Sequence, residues 1–131
     1  GNTASGIDSV VSGGRANQAE GFISSVGGGG NNTASSQFSV IGGGERNEAS
    51  AEHATVGGGR TNRAIGVQST VGGGTTNSAA GTASVVGGGG VNNADGFVST
   101  VSGGFGNSAL GRDSSVRGGR DNSTSDGEHV P

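Results

Sequence analysis

Three glutamates fall close together at Glu45, Glu48 and Glu52, with Arg46 and His53 beside them. Carboxylates next to a histidine are the material of general acid–base catalysis, which needs a proton donor and an acceptor held around one bond. Here no matched set of donors accompanies the cluster. The only other histidine, His129, lies far along the chain in a variable region. The cluster therefore reads as a charged surface, and the chain as a non-enzyme.

Other chemistries fail on residue type. The chain has 32 Gly, but a phosphate-binding loop needs Gly-Lys-Ser/Thr opening a helix, and there is no lysine. Calcium-binding nonapeptide repeats need a regular Asp beside the glycine turn; Asp8, Asp95, Asp113 and Asp121 do not recur copy by copy. Without cysteine there are no disulfides or thiolate metal sites. No cofactor and no metal are expected. The net charge is −3 and the seven arginines form no run, which argues against nucleic acid as a partner. No apolar stretch reaches the length of a membrane span, so direct membrane insertion is not expected. Regular Thr-x-Thr ranks, as a flat ice-binding face would need, are missing. Sequons at Asn31 and Asn122 matter only in a eukaryotic source. The chain begins at Gly1, not Met, and reads as a processed product or an excised fragment.

What must position any functional group is a fifteen-residue phrase written eight times in register. It opens with Val or Ile at 11, 26, 41, 56, 71, 86, 101 and 116. A Gly-Gly pair follows two residues later. Asn follows at Asn17, Asn32, Asn47, Asn62, Asn77, Asn92, Asn107 and Asn122, and Ala two further on, with Thr124 in the last copy. Residues 1–10 form the back part of a ninth copy. Low apolar content (27%) would ordinarily suggest disorder, but disorder has no reason to hold letters at fixed offsets. A strict period of this length means a solenoid.

Each copy alternates short β-friendly runs with turn residues. Ser69-Thr70-Val71 reads as one strand and Asn62-Arg63-Ala64-Ile65 as a second, each closed by glycine. Two glycine punctuation points per copy favour a two-stranded roll over a triangular coil. The expectation is an all-β fold: a parallel β-roll or β-solenoid occupying 1–127, with 128–131 as a C-terminal tail. Coils ~4.8 Å apart would stack the Asn residues into a structural ladder.

One Val and one Ala per coil make a thin apolar core for a chain so rich in glycine. The residues preceding each opener (Val10, Ser25, Val40, Thr55, Thr70, Val85, Thr100 and Ser115) form a small, mostly β-branched column facing opposite to it. That column is the expected subunit interface of a homo-oligomer. Recognition must use the letters that vary. Phe22, Ile23, Phe38, Val67, Phe97 and Val98, eleven and twelve places after an opener, are the candidate partner-docking residues.

The phrase Ser-Thr-Val-Gly-Gly-Gly-x-x-Asn-x-Ala-x-Gly, seen whole in 69–81, resembles the head repeats of trimeric autotransporter adhesins. It is most similar to the Gly-Gly-Gly head repeats of the Moraxella ubiquitous surface proteins, and more distantly to the Yersinia adhesin head. The resemblance covers Asn2 to about Gly127. It implies a left-handed parallel β-roll, three chains packed around one axis, and an extracellular, cell-surface head that binds host-cell or matrix molecules. This chain shows none of the family's neck, stalk heptads or membrane anchor. The alternative expectation is a structural spacer, or a self-assembling extracellular filament or viral fibre built by end-to-end stacking.

Overall fold

The computed structural model describes all residues, 1–131. Eighteen two-residue strands alternate between two parallel sheets, with no helix. One sheet runs from β1 (Thr3–Ala4) through β3 (Gln18–Ala19) to β17 (Ser123–Thr124), and holds every Asn-x-Ala segment. The other runs from β2 (Val10–Val11) through β4 (Ser25–Val26) and β16 (Ser115–Val116) to β18 (His129–Val130). Each sheet has nine strands, and neighbours pair one repeat apart, as in Thr70↔Val85 and Ser78↔Asn93. The chain is thus an all-β solenoid with two short strands per coil. A further ladder of single bridges, Arg15↔Gly30 through Phe105↔Arg120, runs along one corner between the sheets.

Strands this short hold because every coil is bonded to the next. In the sheets the N–H of one coil donates to a carbonyl of the following one, as from Thr70 to Ser84 (2.9 Å). At the corners bonds also run backward: Phe38 N–H donates to Phe22 O on one, and on the other Asn31 N–H donates to Arg15 O while Arg15 N–H donates forward to Gly29 O. In total 84 backbone bonds form, so most of the polar backbone of a glycine-rich chain is satisfied by stacking.

The interior is narrow. The openers from Val26 to Val116 are fully buried against Ala19 to Ala109, and Thr124 fills the last Ala position. A buried serine column flanks them. Ser39 and Ser114 donate to the carbonyls of Ser36 and Gly111, whereas Ser24, Ser69, Ser84 and Ser99 have no partner for their hydroxyls. Ala54 fills the same slot in one coil, so small size is what the position requires.

The second glycine of each pair is fixed by conformation. Gly14, Gly29, Gly44, Gly59, Gly74, Gly89, Gly104 and Gly119 all have φ between 84° and 89°. From Gly14 to Gly104 a Cβ there would strike the backbone of the next coil, Gly74 O in the case of Gly59. The first glycine of the pair, such as Gly58, meets nothing and lies outside the left-handed region.

The end of the chain differs from the sequence expectation. Residues 128–131 are not a tail outside the roll, because His129–Val130 form β18 and Val130 packs against the core. The step to this strand is one residue shorter than the others, Ser115↔His129 and Val116↔Val130. Val130 therefore takes the opener's slot, which counting by fifteen assigns to Pro131. Gly127 (φ 67°) makes the shortened turn, its N–H donating to Arg112 O.

Candidate functional site

The asparagine column sits at the junction of the glycine turn and the first sheet, and it is fully buried from Asn17 to Asn107. Asn77 represents the pattern. Its Nδ2 donates to Gly73 O in its own coil (2.9 Å) and to Gly89 O in the next (3.0 Å). Its Oδ1 accepts the Asn92 N–H (2.9 Å). Direct amide-to-amide bonds occur only between Asn32 and Asn17 and between Asn107 and Asn92. Each amide is consumed in tying coils together, leaving nothing for a ligand.

The acidic cluster is dispersed by the coil. Glu45 lies on the bridge corner beside Arg46 (3.4 Å), and Glu52 on the opposite turn beside His53 (3.6 Å). Glu48 lies on the outer face of the first sheet and accepts from Arg63 Nε (2.9 Å), its cross-strand neighbour. Burial raises the Glu48 pKa, but hydrogen bonds from Ser50 and Arg63 and the Arg63 charge outweigh it and hold the carboxyl below its ordinary value. A depressed carboxylate stabilises the fold above its unfolded pKa and loses that contribution as pH falls through the folded one. Thermal melts should therefore drop as pH falls below about 4.5, by a small amount for so exposed a pair, and less in Glu48→Gln.

No group of three metal-ligating side chains comes together. The one concavity, about 390 Å³ and open, is lined by Leu110, Gly111, Ser125 and Asp126. It lies where the last coil is one residue short, and Asp126 there accepts the Arg112 N–H (2.8 Å). No helix is long and apolar enough to cross a membrane.

The candidate docking residues share one edge, the turn leading from the first sheet to the second. Each turn is closed by an i→i−3 bond, such as Ser24 N–H to Gly21 O, and exposes its two central residues. Phe22, Ile23, Val67, Phe97 and Val98 are 43–47% exposed, while Phe38 is half-buried. The second central residue is left-handed in every coil, with φ of 52° at Ile23, 58° at Phe38, 57° at His53 and 55° at Val98. The sequence places these variable residues at an exposed outer edge but does not show their left-handed backbone. The glycine closing the preceding strand was the available signal, since a turn with positive φ at its third residue favours Gly or Asn there.

A second set of exposed apolar side chains was missed. Val91 and Phe105 stand on the bridge corner, and Val91 is also left-handed (φ 56°). Leu110 lies on the outer face of the first sheet. None shares a repeat position with the candidate strip, so a search along one column passes over them.

The column of Val10, Val40 and Val85 lies on the outer face of the second sheet, opposite the buried openers, with Ser and Thr between. Beside it run Gly27, Gly42, Gly57, Gly72 and Gly87. This face is flat and carries no charge from Val10 to Ser102.

Comparison of the chain with protein-family models gives no match, and comparison with curated proteins gives none either.

Proposed function

We propose that this chain is a non-enzymatic, extracellular adhesin head that binds host-cell or matrix molecules through repeated weak contacts along one edge of a rigid rod. The observation that carries this reading is the identity of the residues on the turn edge. An L-residue in the left-handed region costs about 1–2 kcal/mol relative to what Gly, Asn or Asp tolerates there. Asp8 and Asp113 occupy this column at either end, yet Ile23 and Val98 stand in it and stay 44% exposed. Strained, solvent-facing apolar side chains are what recognition would select and stability would not.

The outer face of the second sheet is the proposed contact between sister chains. A trimer built on it would carry three copies of the edge, and avidity would make weak contacts effective. Light scattering of the purified chain should give a discrete trimer. Growth into long fibres would favour a self-assembling filament instead.

Val98→Asn separates recognition from stability. Asn is at ease at positive φ, so this variant should gain up to about 1 kcal/mol in denaturant unfolding while binding immobilised matrix protein more weakly. Changing Phe22, Phe38 and Phe97 together to Ser should abolish that binding. Unchanged binding in the triple variant would remove the edge as the docking strip.

A further inference from the structure

Aromatic rings on this solenoid fall into two groups that differ in their charged neighbours. Near the C-terminus, the Arg112 guanidinium lies 4.7 Å from the Phe97 ring centroid, and the Arg120 guanidinium lies 5.1 Å from that of Phe105. In both pairs the arginine occupies the repeat position of the phenylalanine, one coil further on. Coil stacking by itself puts a cation over a ring face.

Toward the N-terminus the rings are continuous and no arginine covers them. Phe22 meets Phe38 edge to face (5.6 Å, 78°), and Phe38 stacks parallel to His53 (4.7 Å, 7°). The residue one coil on from Phe22 is Gln37. The carboxylates here are Asp8, exposed on the edge, Glu20, exposed where the first sheet meets it, and the partly exposed Glu52, which faces His53 (3.6 Å). Along these turns no arginine appears before Arg112.

We propose that this acidic, aromatic patch docks an arginine-bearing peptide segment of a partner protein. The guanidinium would stack on the exposed Phe22, beside the Phe38–His53 stack, with Glu20 and Glu52 accepting its N–H groups. Arginine fits better than lysine because its plane matches a ring face, its fork matches a carboxylate, and it is the more weakly hydrated cation. The proposal rests on the turn edge being the docking strip and names the chemistry that strip selects.

The test is an NMR titration of the isotope-labelled full chain with a short capped arginine–glycine peptide at low salt. Lysine–glycine and leucine–glycine peptides serve as comparisons. Amide shifts should concentrate at Phe22, Ile23, Phe38 and His53, and should weaken as salt is raised. Phe22→Leu with Phe38→Leu keeps apolar bulk but removes the ring faces, and should weaken binding about tenfold. Glu52→Gln should weaken it several-fold, and the lysine peptide should bind less well than the arginine peptide. Equal binding of the leucine peptide, shifts centred elsewhere, or unchanged affinity in the double Leu variant would each overturn the proposal. Should the double variant fail to fold, Glu52→Gln and the salt series decide the matter alone. The outcomes also separate two failures. Loss of matrix binding on changing the phenylalanines, with no arginine-peptide binding, overturns only the arginine assignment. Matrix binding that survives Phe22, Phe38 and Phe97→Ser removes the docking strip itself.

Discussion

Alanine at Gly59 is expected to destabilise the chain severely, while alanine at the adjacent Gly58 leaves it folded. Gly59 has φ of 86°, and a Cβ on it would strike Gly74 O in the next coil and lie 2.7 Å from Asn62 Nδ2. The left-handed penalty for an L-residue is about 1–2 kcal/mol. The clash adds to it, because the coil cannot move away without stretching the ladder bonds on both sides. A total of about 3–5 kcal/mol is expected, a large share of the stability of a domain this size. The melting temperature should fall by about 10–15 °C. Gly58 has open space at its Cβ and no left-handed φ, so alanine there should change stability by less than about 1 kcal/mol, with a gain from reduced freedom in the unfolded chain. Circular dichroism melts of the two variants make the comparison. Equal losses would mean that the pair acts as a flexible unit and not as one open and one constrained position.

Asn77→Ala is expected to cost about as much, for a different reason. The Asn77 side chain is the only partner shown for the Asn92 N–H and for Gly73 O. Gly89 O, by contrast, also accepts from Thr75 N–H (2.9 Å). Removing the amide therefore strands a buried donor, at about 1–3 kcal/mol, frees a part-buried acceptor, and leaves a cavity as well. A loss of about 3–5 kcal/mol is expected in urea unfolding. The damage should centre where it is made, since a solenoid coil touches only its neighbours. Hydrogen exchange should show the amides around Asn92 losing protection first. A loss below about 1 kcal/mol, or uniform deprotection along the rod, would mean that the amide column does not tie the coils together.

The two substitutions bear on how much the sequence reveals. That Gly-Gly, Asn and Ala recur at fixed offsets is legible directly, and so is their placement inside or at a turn. Which glycine of the pair is indispensable is not, because both are equally constant in every copy from Gly13-Gly14 to Gly118-Gly119. Only the turn dihedrals distinguish them. The asparagine ladder was legible from the period, whereas the partners of its amides were not. Its bonds run mainly from side chain to backbone: Nδ2 of Asn77 reaches two glycine carbonyls, as in the coils from Asn17 to Asn107, while amide-to-amide bonds form at two steps.

The candidate docking residues were legible as variable letters at exposed turn positions. Their backbone strain was not, since Val and Ile at positive φ contradict the local preference from which a turn is read. The run of Phe22, Phe38 and His53 was hidden for another reason. Phe22 and Phe38 occupy neighbouring repeat positions, not the same one, so their contact is diagonal across coils. Glu45, Glu48 and Glu52 show the converse. They are close in sequence, yet the coil sends them to a corner, a sheet face and the opposite turn.

The sequence by itself determined that this protein stacks: a constant period fixes the axis, the strand register and the residues that meet copy to copy. The tertiary structure decided the finer arrangement lateral to that axis. It set which glycine is left-handed, which turn residues carry a positive φ, and that Val130 takes the opener's slot one residue early. The reason is physical. Translation along the rod repeats identical contacts and is written as repetition, whereas the cross-section depends on a few turn dihedrals that equally constant letters do not specify.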